Sequence, residues 1–463
     1  MRFHLLLLLF STLARATEQP NLIVIMADDA GYADVGFNGS SEIPTPNIDR
    51  IAKGGVVFTD AYVTFTVCAP SRAGFITGRY PQRFGFERNP AYQPHNAEIG
   101  LSREEKTLAE VLRPAGYTSA VVGKWHLGAH EDFHPLARGF DEFFGHLGGG
   151  KRYFPESLTK QNTADAKNEW HSYHTLITRG FEPVKTTGYL TDEFTREALS
   201  FISRRATTPE KPFFLFLAYN APHGPLEAPA EEIAKFAHIE NEKRRIYAAM
   251  ISVMDRGIGQ ILDLLDEQKL AENTLVVFLS DNGGAAHTHG SHNTPLRGAK
   301  SEPWEGGWRV PMVARWPAVF PAGVKYSQPV SSMDIFATIV AANKLQPDPE
   351  RPLDGVNLAP YMRGETSGVP HERIYLRMFD HGAYAMREGN YKIVKPKRPK
   401  KANEEARVQI FHLGKDISEK NNLAGTEQER VKNLQAGYEK WSTQLIEPSF
   451  PGLEAKPKKD PEP

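Results

Sequence analysis

Leu22–Met26 is apolar at every position and runs through Ala27 into Asp28-Asp29; Leu275–Leu279 has the same build and runs into Asp281-Asn282. An apolar run without polar alternation reads as a strand buried on both faces, and such a strand needs cover on both sides of its sheet. Two further runs end in polar clusters. Ala120–Val122 leads into Gly123-Lys124-Trp125-His126, and Phe213–Ala218 leads into Asn220-Ala221-Pro222-His223. Helical patterns separate these runs. Thr45-Pro46 opens one that Gly54-Gly55 ends, and Ser102 with Glu105 reads as a capping box before Leu108, Val111 and Leu112, with Gly116 as the stop. Ile246, Met250, Val253, Met254, Ile258, Ile261 and Leu265 form one helical stripe. Strands alternating with helices predict an α/β fold with a mostly parallel sheet sandwiched by helices. Ligands bind such sheets beyond the carboxyl ends of the strands, so the four polar clusters are expected to converge on one site.

Beyond about Pro360 the pattern changes to short runs, Arg373–Arg377, Ala383–Met386, Tyr391–Val394 and Gln409–Leu413, which predict a smaller antiparallel sheet. Lys392–Lys401 reads as including a basic, proline-containing loop. The expected organisation is a signal peptide over 1–16, an α/β catalytic domain over 20–360, a C-terminal α+β subdomain over 361–446 and a disordered tail over 447–463. Arg2, the apolar stretch Leu5–Phe10 and Ala14-Arg15-Ala16 carry the signal-peptide reading, which predicts export to the periplasm or the medium. No apolar segment is long enough for a membrane span. With 55 basic and 56 acidic residues the formal net charge is −1, which offers no field to attract nucleic acid.

Asp28, Asp29, Asp281 and Asn282 offer only oxygen donors, which suits calcium or magnesium better than zinc. Each could instead cap a following helix; two such pairs after two separate strands favour a metal. Cys68 is the single cysteine in 463 residues, so the chain has no internal disulfide. It is followed by Ala69-Pro70-Ser71-Arg72 and a short helical run that Gly78 stops. A helix N-terminus and a neighbouring guanidinium both favour negative charge on the sulfur. A soft thiolate is nevertheless an odd neighbour for a hard cation.

Cys68-Ala69-Pro70-Ser71-Arg72, followed by Thr77-Gly78-Arg79, resembles the signature of the type I sulfatases of the alkaline phosphatase superfamily, with Phe75 where leucine is usual. The second signature of that family is matched from Gly116-Tyr117 through Gly123-Lys124-Trp125-His126-Leu127-Gly128, with Ser119 in place of threonine. Similar blocks run from Asn21–Asp29, through Leu296–Lys300 and Glu305-Gly306-Gly307, to Phe411-His412-Leu413 and Asn421-Asn422-Leu423. The resemblance implies a large mixed, mostly parallel sheet of the alkaline phosphatase type. It also implies a maturation enzyme that oxidises Cys68 to formylglycine, whose hydrate attacks a sulfate ester with one hydroxyl and later loses a proton from the other.

By the same resemblance Asp28, Asp29, Asp281 and Asn282 hold calcium together with the matured residue 68. Arg72 is expected on the formylglycine hydroxyl, Lys124 and Lys300 on sulfate oxygens, His223 as the acid for the departing alcohol, shared with Lys300, and His126 as the base for the second hydroxyl. Arg88, Lys151, Arg152, His289, His292 and Arg297 are candidate contacts to a sulfated glycan, and Tyr92 and Tyr153 candidate faces for its rings. Phe84–Pro90 is similar to bacterial sulfatases acting on galactans such as carrageenan. Two other readings stay open: a phosphodiesterase or phosphonate monoester hydrolase of the same superfamily, and a sulfated-glycan-binding protein in which Cys68 remains a thiol.

Overall fold

A computed structural model describes residues 19–397 and 406–453. The segment 1–16 expected to direct export lies outside the described residues. Ten strands form one sheet in the order Val324–Tyr326, Val56–Phe58, Met312–Arg315, Thr274–Ser280, Asn21–Ala27, Phe213–Ala218, Thr118–Lys124, Glu142–His146, Ile177–Arg179, Glu182–Val184. The five strands from Thr274–Ser280 to Glu142–His146 pair in parallel. Met312–Arg315 runs antiparallel to both of its neighbours and the hairpin Ile177–Arg179/Glu182–Val184 adds an antiparallel edge, which makes the sheet mixed.

The apolar runs have no alternation because each face of the sheet has its own core. Leu22, Val24, Met26, Phe214, Phe216, Leu275 and Val277 face one cluster. Ile23, Ile25, Leu215, Leu217, Val276 and Phe278 face the other. The second face is covered by Pro46–Lys53, Leu190–Ala206 and Glu242–Glu267; the last carries the expected stripe, with Met250, Val253, Met254, Ile258, Ile261 and Leu265 buried. The first face is covered by Cys68–Thr77, Leu108–Leu112 and Asp334–Ala342.

Leu108–Leu112 starts differently from expectation. Its capping box is Thr107 with Glu110, whereas Ser102 and Glu105 close a separate turn upstream. Both pairs satisfy the same spacing rule, and Thr107 wins because its hydroxyl also reaches Arg138 O at 2.7 Å, which ties the helix start to the body.

The four C-terminal runs form one antiparallel sheet, Arg373–Met378, Ala383–Glu388, Tyr391–Lys395 and Gln409–His412, with helix Gln428–Ser442 against it. Lys392 belongs to the strand, as expected from the run Tyr391–Val394, and is fully buried; positions 398–405, which hold most of the expected basic loop, lie outside the described residues. The tail expected from 447 is held over its first residues. Phe450 is buried 5.0 Å from the Phe86 ring, and Ser449 N donates to Gly85 O. An aromatic side chain with a matching pocket outweighs the polar composition around it. Positions 454–463 lie outside the described residues. Among the described residues no helix is long and apolar enough to cross a membrane.

Candidate active site

Four adjacent parallel strands, Thr274–Ser280, Asn21–Ala27, Phe213–Ala218 and Thr118–Lys124, end side by side and deliver the four polar clusters to one place. The strand ends are cross-tied: Asp281 N donates to Ala27 O and Asp28 N to Ala221 O, both at 3.0 Å. Cys68 is the first residue of helix Cys68–Thr77, which Gly78 closes in the left-handed conformation at φ 69°. The helix points its N-terminus at these clusters and sets Arg72 one turn below Cys68.

The Cys68 thiol lies 3.4 Å from Asp28 Oδ1 and 3.2 Å from Lys300 Nζ. Lys124 Nζ is 2.7 Å from Asp28 Oδ2, and Lys300 Nζ is 2.7 Å from Asp29 Oδ1. Arg72 donates through Nε and Nη2 to Asp281 Oδ2 and through Nη1 to Lys124 O. The guanidinium thus clamps a carboxylate of the cluster while lying close enough to Cys68 to feel its charge. Asp28, Asp29 and Asp281 are all fully buried. Asp29 and His126 take left-handed backbone conformations, φ 68° and 60°, which cost non-glycine residues energy and persist only where surroundings hold them.

Cys68 differs from its sequence reading in one respect. Burial pushes its thiol up to about 12, with Asp28 and Asp281 adding to the rise while Lys124 and Lys300 oppose it. Helix end and cations are both present, yet loss of water outweighs them, so the thiol is neutral at neutral pH. An unmodified Cys68 here is a poor nucleophile.

The carboxylate cluster fits a hard divalent cation. Burial lifts the Asp281 carboxyl to about 6, with Asp28 adding to the rise and Arg72 opposing it. Asn282 Nδ2 donates to Asp29 Oδ1 and Gly283 O, while its Oδ1 is buried without a hydrogen-bond partner among the described residues. A buried oxygen left without a donor beside three carboxylates is a ligand set short of positive charge. Asp28, Asp29, Cys68 and His223 also bring ligand atoms within 4.8 Å of one another.

His223 Nδ1 faces Gly224 O at 2.7 Å, which requires the proton on Nδ1 and turns Nε2 towards Asp29, 3.7 Å away. Burial draws this imidazole down to about 3 against the pull of Asp29. Tyr153, one of the expected ring faces, is buried and holds this loop: its hydroxyl reaches Asn220 O at 2.6 Å and His223 O at 2.8 Å. Tyr92 is buried as well, so neither ring is open to a sugar.

The six candidate glycan contacts divide. His289 belongs to the site, with Nδ1 3.9 Å from Asp29 Oδ2 and its ring edge-on to His223. Arg152 ion-pairs with Glu227 and lies over the Trp170 ring at 5.9 Å, and Trp170 is 55% exposed. Lys151 is buried, donating to Ser172 O and Thr175 Oγ1, and burial pulls its ammonium down to about 7. Arg88 pairs with Asp380 and Phe450 O, and Arg297 stacks 3.5 Å over Trp304 and donates to Glu419 O. His292 faces Glu42 at 3.7 Å, and its backbone N–H donates to Asp34. Lys151, Arg88, Arg297 and His292 thus have structural partners, because a cation in a loop reads alike in sequence whether it faces a ligand or a neighbouring carbonyl.

Four residues of the site had no sequence signal. Gly149 and Gly150 follow strand Glu142–His146, and Glu169 and Tyr173 pack against them from a distant segment. No motif spans 148–176, so only packing reveals this wall.

A doubly covered mixed sheet whose strand ends gather three carboxylates, two lysines and a buried cysteine defines a fold and site of the alkaline phosphatase type. The sulfatase family model matches residues 20–343, and the chain belongs to that family and is a sulfuric ester hydrolase. It is 37% identical over 369 residues to the N-acetylgalactosamine-6-sulfatase of Canis lupus familiaris, covering 76% of this chain and 67% of that one. It is 33% identical over 443 residues to the steryl-sulfatase of Homo sapiens, covering 81% and 74%. The crystal structure of Ps i-CgsB in complex with k-i-k-neocarrahexaose superposes with a TM-score of 0.86 at 39% identity, over 93% of this chain and 94% of that one.

Proposed function

We propose that the protein hydrolyses sulfate esters of a sulfated glycan, after Cys68 has been oxidised to formylglycine by a maturation enzyme, with calcium held by Asp28, Asp29, Asp281 and Asn282. The observation that carries this reading is the placement of Cys68 between Asp28 Oδ1 and Lys300 Nζ, at the ends of the strands that supply the other groups. Calcium supplies positive charge for a sulfate oxygen and for the nucleophile. The formylglycine hydrate supplies a hydroxyl nucleophile that the neutral, buried thiol cannot replace.

The residues of the chain do the rest. Lys124 and Lys300 are fixed cations for the sulfuryl oxygens. Lys300 is held protonated by Asp29 and the neighbouring acids against the cost of burial, so it keeps its positive charge beside the departing alcohol oxygen. His223 supplies the proton to that oxygen once a bound sulfate ester adds negative charge near Nε2, which raises its affinity for a proton. Among the groups around His126, the charges of Lys124, Arg72 and Lys300 reinforce burial in holding it neutral, which suits a base.

For the substrate, the favoured class is a galactan of the carrageenan type. A neocarrahexaose is bound in the similar structure, and galactosamine 6-sulfate is named for the mammalian relatives. The rim offers Arg152, exposed Trp170 and His289 to such a chain. The export signal expected over 1–16 agrees with this reading, since such polymers lie outside the cytoplasm.

The test is mass spectrometry of the peptide spanning residue 68 after expression with a maturation enzyme, followed by desulfation assays on defined oligosaccharides. Sulfate and phosphate esters of one alcohol are compared in parallel. An intact thiol under those conditions, or preference for the phosphate ester, would overturn the reading.

A further inference from the structure

One carboxylate outside the four strand-end clusters is buried at the same site. Glu169 opens helix Glu169–Ser172 behind the N-cap Asn168, and its Oε1 accepts from Gly149 N at 2.6 Å. Its Oε2 is buried with no hydrogen-bond partner among the described residues. Gly149 stands between this carboxylate and His126: a Cβ built on it would lie 2.6 Å from Glu169 Oε1 and 2.8 Å from His126 Nε2. The breadth of one atom therefore separates the two groups, and only glycine leaves that passage open.

His126 needs a partner. Neither of its ring nitrogens has a hydrogen-bond partner among the described residues, and both are buried. The groups that face it are Lys124, Arg72, Lys300 and His223, three cations and a neutral imidazole. The nearby acids Asp28, Asp29 and Asp281 are already engaged by Lys124, Lys300 and Arg72. A proton accepted by His126 would create a fourth cation in a buried place, which is costly without a counter-charge. Around Glu169 the charge of Lys124, the Gly149 N–H and the Tyr92 backbone favour the ionised form, against burial, which raises its carboxyl above the ordinary value.

The wall that carries Glu169 is fixed. Lys151 Nζ donates to Ser172 O at 3.0 Å and to Thr175 Oγ1 at 2.6 Å, which staples the 148–152 loop to the end of helix Glu169–Ser172. Lys151 thus acts on this wall rather than on a ligand.

We propose that Glu169 is a positioning residue for His126: its carboxylate, directly or through one water, orients the imidazole and balances the charge it gains on accepting a proton. The proton enters at the ring nitrogen turned away from Glu169 and leaves to solvent within one turnover, while the carboxylate stays ionised. This role rests on His126 being the proton acceptor proposed above.

Glu169→Gln tests it, because the amide oxygen can still accept from Gly149 N while the charge is lost. In the matured enzyme kcat is expected to fall about tenfold or more, with KM unchanged, as for other groups that orient a catalytic imidazole. Glu169→Asp should restore part of that loss. In the unmatured protein, the ¹⁵N shifts of the His126 ring, assigned by their loss in His126→Gln, should move in Glu169→Gln, because the partner of one ring nitrogen sets the tautomer. Wild-type kcat with unmoved ring shifts in Glu169→Gln, alongside an inactive His126→Ala, would overturn the role of Glu169. A rise in KM without a shift of the His126 signals would make Glu169 a substrate contact, which also overturns it. Wild-type turnover by His126→Ala would instead sink the assignment of His126 itself.

Discussion

The ammonium of Lys392 lies 2.9 Å from Glu305 Oε1, and neither side chain touches solvent. Lys392 comes from the C-terminal sheet and Glu305 opens the short helix Glu305–Trp308, five positions after Lys300, so this pair fastens the two parts of the molecule. Glu419 Oε1 sits 2.8 Å from the same nitrogen. The two acids respond oppositely: Lys392 and Arg309 overcome burial to bring Glu305 down to about 2, whereas burial and Glu305 raise Glu419. Lys392→Ala is expected to destabilise by about 3–5 kcal/mol in urea unfolding, since two buried carboxylates lose their cation. Lys392→Met with Glu419→Gln should recover part of that.

His371 gives stability a defined pH dependence. Its Nε2 lies 2.7 Å from Asp334 Oδ1, and Asp334, with help from Asp354, raises the imidazole above its ordinary value against burial. A histidine raised in the folded state contributes stability that is fully present below about 6.5, its unfolded value, and is lost as pH rises through the folded value. The wild-type protein should therefore lose urea resistance over that interval, and His371→Gln should flatten the dependence there.

Tyr153→Phe is expected to lower kcat severalfold with little change in melting temperature. Its hydroxyl holds Asn220 O and His223 O, so its loss loosens the loop that aims His223, while a lost hydrogen bond costs only about 1 kcal/mol. Steady-state kinetics beside a thermal melt separate the two effects.

Calcium should stabilise the fold by mass action, adding about 2.7 kcal/mol at a hundredfold excess over Kd. Asn282→Ala should weaken that response, since Asn282 Oδ1 is the buried oxygen without a donor. Calorimetric titration of chelator-treated protein measures both.

Trp170→Ala should raise KM for an oligosaccharide about fivefold and leave a small aryl sulfate nearly unaffected. An exposed indole beside Arg152 can face a sugar ring, and loss of such a contact costs about 1 kcal/mol.

Much of the fold was legible because burial on both faces of a sheet leaves a plain trace in sequence. Leu22–Met26, Phe213–Ala218 and Leu275–Leu279 were unbroken apolar runs, and the structure makes them neighbours in the sheet, Leu275–Leu279 beside Leu22–Met26 beside Phe213–Ala218. The start of helix Leu108–Leu112 was misread since two overlapping pairs, Ser102/Glu105 and Thr107/Glu110, fit one local rule and only the reach of Thr107 to Arg138 separates them. Lys392 was legible as part of a strand but not as a buried cation, because its acids lie 87 and 27 positions away (392 − 305 and 419 − 392).

At the site, Asp28, Asp29, Lys124 and Asp281 could be placed by their position after strand-like runs, since the carboxyl ends of adjacent parallel strands meet, whereas Cys68 and Lys300 were pointed to by the family resemblance, and the structure brings all six side chains together. Whether Cys68 is ionised could not be read that way: the helix end and Arg72 favour charge, and only the depth of burial reverses their effect. The same holds for Glu169, an unremarkable acid in a polar stretch until Gly149 brings it to His126. Sequence by itself determined which chemical groups stand at the strand ends, because period and spacing are local properties of the chain. Tertiary structure alone decided which cation faces which acid and which groups lose their water, because charge and solvation depend on distance through space.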